Sequence, residues 1–176
     1  MITDVLLDHP WLSPAALVLL VVLGPLVGSR LVARPAVTRA LLGLSLLPVA
    51  VTTLVPVDRE LYEVCVVQWA LPTPSRVELM ANVVLFVAPA LLLAVATRRP
   101  ALAGAAGAAL SAGVEFAQAL VPAIGRSCDT ADWGNNTLGA AIGAALGWGA
   151  LLLARQSRSR RGQPAPPSSI PGPKTS

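Results

Sequence analysis

Charge is what this sequence has least of. Only 12% of its 176 residues are Asp, Glu, Lys or Arg, against about 25% in an ordinary soluble domain. Lysine occurs once, as Lys174, and histidine once, as His9. Aromatic residues make up 4%, so the 55% hydrophobic content is carried by Ala, Leu and Val, and 14 Gly add to it. That composition suits helices packed closely in lipid rather than a water-soluble core. The length leaves room for one compact membrane domain and no second. With His9 in the N-terminal leader, no zinc site forms around Cys65 and Cys128, since structural zinc takes four N/S ligands. We therefore expect no metal and no cofactor. The first ten residues hold Asp4 and Asp8 but no Lys or Arg. No A-x-A site follows the first apolar run, so that run is read as a retained helix and not a signal peptide.

Five apolar runs follow. Residues 12–33 form the first, with Trp11 placed as an interfacial anchor, Arg30 and Arg34 at its far end, and a kink expected at Gly24-Pro25. Residues 40–57 form a second, short run. The loop of residues 58–78 carries Asp58, Arg59, Glu60, Glu63 and Arg76. Within it, residues 64–71 are apolar but too short to span, and predict an interfacial turn or short helix packed on the bundle mouth. The third, fourth and fifth runs are residues 79–97, 101–121 and 134–154. The fold class expected is all-α, a polytopic transmembrane bundle. Its organisation is a leader over 1–11, the helical domain over 12–154, and a tail over 155–176 that is basic, then Pro/Ser-rich and disordered.

The net charge of +4 does not indicate nucleic acid, because the basic residues cluster at the ends of apolar runs. The loops 30–39 and 98–100 and the C-terminal tail hold ten Lys and Arg, and the opposite side holds three. The positive-inside rule then places the N-terminus outside and the C-terminus in the cytoplasm. Cys65 and Cys128 both fall in outer loops, on an oxidising side, where they are expected to form one disulfide.

Most of the polar residues that need explaining lie between Ser111 and Gly143. Ser111, Glu115 and Gln118 are spaced i, i+4, i+7 and share one helical face. A carboxylate such as Glu115 within a span costs about 2.5–3.5 kcal/mol on insertion scales, so it needs a partner or a wet cavity. Arg126 is the expected partner, able to hold one carboxylate and still present donors to a second anion. One of Asp129 and Asp132, or Asn135 or Asn136, is expected to cap the last span. Gly139, Gly143 and Gly147 continue the face of Asn136 as a small-residue packing seam. Asn82 lies near the start of the third span, on the same side of the membrane. The candidate ligand site is thus Asn82, Ser111, Glu115, Gln118, Arg126, Asp129, Asp132 and Asn136. The bland alternative is that these side chains only lock the bundle together.

At these residues the sequence resembles the VanZ-like family of bacterial membrane proteins. The resemblance rests on Asn82-x-x-x-Phe86, then Ser111-x-x-x-Glu115-x-x-Gln118. It continues through Arg126-x-x-Asp129-x-x-Asp132-x-x-x-Asn136-Thr137-x-Gly139-x-x-x-Gly143 and covers about residues 79–150. The family's Pro-x-Gly after the Phe is altered here, with Pro89 shifted by one and Ala90 at a Gly-like position. The resemblance implies a multi-pass protein of the bacterial inner membrane and a link to glycopeptide (teicoplanin) resistance. With no nucleophile–base–metal set in the pattern, we expect no catalytic residues. The expected role is a non-enzymatic outer-face pocket for an envelope lipid or glycopeptide-like ligand. Two alternatives stand beside it. One is a membrane-embedded hydrolase or transferase acting on a lipid-linked phosphate, with Arg126 on the phosphate and Glu115, Asp129 or Asp132 as base or metal ligands. The other is a small scaffold in an envelope complex, forming homo- or hetero-oligomers through its Gly/Ala helix faces. The partners expected in every case are membrane lipids.

Overall fold

The computed structural model describes residues 8–57, 64–73 and 75–162. Asp58, Arg59, Glu60 and Glu63, the first residues of the leader, and the Pro/Ser-rich segment from 163 onward lie outside the described residues. Five helices form the bundle: α1 (Leu12–Leu31), α2 (Pro35–Leu54), α3 (Val77–Thr97), α4 (Pro100–Leu120) and α5 (Thr130–Gly162). Each is long and apolar enough to cross a membrane. Successive helices run in opposite directions, so every turn falls at one of two ends.

The boundaries differ from the expected ones for local reasons. Helix α2 begins at Pro35, not residue 40, because Pro at the first helical position has its φ already set and no N–H to lose. Pro100 starts α4 in the same way. Helix α1 runs unbroken through Pro25. Helix α5 extends in both directions beyond the expected 134–154. It opens at Thr130 and continues to Gly162, since the segment after Ala154 has no breaker before Gly162 and Pro164. Arg155, Arg158 and Arg160 therefore sit on a helical extension of the last span. The apolar piece 64–71 is not a helix. Cys65–Val66 is a short strand, β1, which pairs in parallel with β2 (Cys128–Asp129). The β-branched Val66, flanked by Val64 and Val67, favours that extended form.

Helix α3 is the centre of the bundle. It packs most extensively on α5 and also touches α1, α2 and α4. Val83, Phe86, Val87 and Ala94 on it are all but fully buried. In lipid no hydrophobic force draws two helices together, so close contact depends on small residues. Gly139, Gly143 and Gly147 of α5 supply it, lying against Val83, Val87 and Leu91 of α3. Ala90, at the altered family position, is itself small and faces Gly143. Helix α1 uses a second small-residue pair. Gly24 and Gly28 lie against Leu91 and Ala150, a Gly-x-x-x-Gly whose packing role the nearby Pro25 obscures in the sequence. The remaining surfaces of α1 and α2 are apolar and exposed, as with Val18, Leu19, Leu44 and Leu47. That is the surface a lipid-facing helix presents.

The two ends of the bundle differ in charge. The end where α1, α3 and α5 finish carries Arg30, Arg34, Arg39, Arg98, Arg99, Arg155, Arg158 and Arg160 and, among the described residues, no acid. Thr38 closes the α1–α2 turn there, its hydroxyl donating to the carbonyls of Leu31 (2.9 Å) and Arg34 (3.0 Å). The opposite end gathers the acids and the irregular backbone.

Candidate functional site at the polar end

The polar end is built on the segment that joins α4 to α5. After α4 a short 3-10 turn, Pro122–Ile124, leads into Gly125. Gly125 has φ +69° and lies against the Val57 carbonyl, where a Cβ would collide. Only glycine meets both conditions. The Val57 N–H donates to the Ile124 carbonyl at 2.9 Å, tying the exit of α2 to this turn.

The chain then enters β2. Cys65 and Cys128 face each other in the ladder and are joined by a disulfide, with their Cα atoms 4.5 Å apart. The Cys128 N–H donates to the Val64 carbonyl at 2.9 Å. This bridge fastens residues 64–73 as an extended strap beside the start of α5. Gln68 is the strap's main attachment. Its N–H donates to Thr130 Oγ1 (2.8 Å), and that hydroxyl donates back to the Gln68 carbonyl (2.6 Å). Its side-chain amide donates to Asp129 Oδ2 at 2.5 Å. Further along, Asn135 Nδ2 donates to the Ala70 carbonyl at 3.2 Å. Trp69 meets Trp133 edge-on, with centroids 6.4 Å apart.

The eight candidate residues gather at this end as pairs rather than one pocket lining. Asp129 immediately precedes α5 and caps it, Oδ1 accepting from the Ala131 N–H at 2.7 Å. Asn135 and Asn136 lie inside the helix. Asp132 Oδ1 accepts from Asn82 Nδ2 at 2.6 Å, joining α5 to α3. Asn136 Nδ2 donates to Ser111 Oγ at 3.0 Å, joining α5 to α4, and both residues are buried. Gln118 reaches α2 instead, donating to the Thr53 carbonyl at 3.0 Å. Glu115 accepts from the backbone N–H of Asp129 at 2.7 Å. Arg126 lies within electrostatic reach of Asp132, as do Asp129 and Glu78.

A cleft of about 330 Å³ opens beside these pairs. Its walls include Gln68 of the strap, Arg76 and Glu78 at the start of α3, and Asp129 and Asp132. Of the eight candidates only Asp129 and Asp132 line it. Gln68, Arg76 and Glu78 line the cleft but were not among the candidates read from the sequence. Glu78 stood one residue before the expected third span. Gln68 lay inside an apolar run with no helical period to mark it.

A family comparison decides what this arrangement belongs to. The VanZ/LLP1 family model matches residues 14–153, which is most of the chain. The chain belongs to the VanZ/LLP1 family. Among curated proteins and among solved structures nothing matches it. The match takes in α1 and α2 as well as the polar motifs, so the VanZ/LLP1 unit is the whole five-helix body and not the region 79–150 alone. Within that unit the motif residues divide by task. Asn82–Asp132 and Ser111–Asn136 join helices, Glu115 and Gln118 hold backbone groups, and Asp129 caps α5.

The cap gives a direct test of that division. Asp129→Ala removes the side-chain acceptor of both the Ala131 N–H and the Gln68 amide, and the loss of the cap by itself should lower stability by about 1 kcal/mol, within the 0.5–2 kcal/mol usual for N-caps. Asp129→Asn, which keeps an acceptor, should lose much less. Thermal unfolding of the two variants in detergent would show the difference. Equal melting of Asp129→Ala and the parent would mean that the cap carries no weight.

Proposed function

We propose that the polar end faces the outside of a bacterial inner membrane, and that its cleft takes the polar head of an envelope lipid or a glycopeptide-like ligand. The protein is then a non-enzymatic binder that alters how glycopeptide drugs of the teicoplanin type reach their target. The observation that carries this reading is the cleft between the strap and α3. Asp129, Asp132, Glu78, Arg76 and Gln68 converge there, and the proposed orientation sets the cleft at the level where a lipid head group or an amphiphilic drug would lie. The strongly basic opposite end supports the orientation, since arginine-rich ends stay in the cytoplasm. The disulfide supports it too, since such bonds persist on an oxidising side.

The test is expression in a susceptible host, comparing teicoplanin and vancomycin sensitivity for the protein, for Asp132→Asn and for empty vector. The expected result is reduced teicoplanin sensitivity with the protein and its loss with Asp132→Asn. Sensitivity identical to empty vector would remove the drug-linked reading. Native mass spectrometry from membranes tests the binder separately. A co-purified envelope lipid that is diminished by Asp132→Asn is expected, and purification without such a lipid would count against the cleft as its site.

A further inference from the structure

The strap has two unlike faces. Gln68 and the Ala70 carbonyl are turned to α5 and hydrogen-bonded there. Val67, Trp69 and Leu71 alternate with them and are 81%, 73% and 81% exposed, the Trp69 ring leaning by one edge on Trp133 and Gly134 of α5. No charged residue occurs from Val64 to Thr73. Three large apolar side chains, bare on one edge of an otherwise anchored segment, call for a cover.

The level of the strap in the bundle identifies that cover. Arg155 is the first arginine of α5. Counting back a hydrocarbon core of about 30 Å at ~1.5 Å per residue covers about 20 residues and arrives at Asn135. The Trp69 ring rests on Gly134, 3.5 Å from the position of a Cβ there, and the next strap carbonyl is bonded to Asn135 itself. The same count on α1, back from Arg30, ends beside Trp11. The two helices agree independently. They run side by side in one direction, with Gly24 near Leu146 and Gly28 against Ala150, and that offset carries Trp11 to the level of Trp133. Trp11 is 62% exposed. Trp11, Trp69 and Trp133 thus share one level, at the edge of the hydrocarbon, where tryptophan belts form.

We infer that Val67, Trp69 and Leu71 insert into the head-group boundary of the bilayer, so that the strap is clamped between lipid and α5. The absence of charge lets the strap enter without desolvating an ion. Gln68, on the other face, is a wall of the acidic cleft, so lipid on one side of the strap helps to set the position of that wall. This inference stands on the bundle's geometry and does not require the cleft to hold any particular ligand.

The test is tryptophan quenching in phosphatidylglycerol–phosphatidylcholine vesicles. The emission of Trp69 is obtained from a variant with Trp11, Trp133 and Trp148 replaced by Phe. If that variant does not fold, it is obtained from the difference between the parent and Trp69→Phe. Trp69 should lose emission strongly with lipids brominated near the carbonyl end of the acyl chains, and less with lipids brominated near the chain end. It should resist iodide supplied on both sides of the membrane. Ready quenching by iodide, without quenching by brominated lipid, would place the strap in water and overturn the inference. Protection from both quenchers would mean that a protein, such as a second copy of this chain, covers it, and would overturn it equally.

Discussion

Replacing Gly143 with leucine should separate α3 from α5 and leave the protein unable to hold its native fold in detergent. A Cβ at Gly143 would collide with the Val87 carbonyl and stand 2.9 Å from Ala90 Cβ. Neither neighbour can move away cheaply. The carbonyl is fixed in the hydrogen-bond ladder of α3, and Ala90 is nearly fully buried. Even Gly143→Ala should cost about 1–3 kcal/mol, the usual range for overpacking, and leucine should exceed it. Gly139→Ala should behave like Gly143→Ala, because its Cβ would meet the Val83 carbonyl. Gly43 and Gly113 provide the contrast. Nothing lies within 4 Å of a Cβ at either, so their alanine variants should melt with the parent or slightly above it. Adding Ala90→Gly to Gly143→Ala should restore little, because the backbone obstacle at Val87 remains. Thermal unfolding in one detergent ranks all of these variants. A Gly143→Leu protein as stable as the parent would show that the α3–α5 seam is not the structural centre described here.

That seam was legible in the sequence because a four-residue period of glycines continues the face of Asn136. The five spans were legible because an apolar run about 20 residues long has few other uses. The interior-facing polar set Ser111-Glu115-Gln118 was also readable, since helical spacing shows which residues share a face, whereas Asp132 was expected in the loop before α5 rather than on a helical face with Asn136. The partners of that set were not legible. Glu115 is held by a backbone N–H, a group every non-proline residue carries and no sequence pattern marks. Gln118 likewise ends on a main-chain carbonyl, that of Thr53, across the bundle on α2. Arg126, expected beside Glu115, also lies within electrostatic reach of Asp132. The strap hid for another reason. Its alternation of inward and outward residues covers only a few positions, and its apolar side chains look like part of a helix until the ladder with Cys128 is seen. The helical arginine extension of α5 was missed because charge marks the end of a membrane span but not the end of a helix.

Opening the disulfide should free the strap while leaving the five helices packed. Cys65 and Cys128 are 63 residues apart in sequence. For a free chain, loop-closure entropy would give a bridge of that span about 4 kcal/mol. A membrane chain gains less, because α3 and α4 lie between the cysteines and their spans stay inserted when packing is lost. The local consequence is larger than the global one. Each hydrogen bond pinning the strap contributes only about 1 kcal/mol net, whereas ordering each of its residues costs about 1–2 kcal/mol in backbone entropy. Gln68, Thr130 and Asn135 cannot hold the strap by hydrogen bonds alone, and the covalent link makes up much of the difference. Cys65 is exposed, so a reductant reaches the bond without unfolding the bundle. In lipid nanodiscs, hydrogen exchange after reduction, or in a Cys65→Ser/Cys128→Ser variant, should accelerate across residues 64–71 and at the Asp129 N–H. The amides of α3 and of α5 below Asn136 should keep their protection. Asp129 matters most in that pattern, because its N–H holds Glu115 and its carboxylate holds Gln68. A strap that stays protected after reduction would mean that its lipid-facing residues order it unaided. Exchange that accelerates through α3 as well would mean that the bridge supports the whole bundle rather than its polar end.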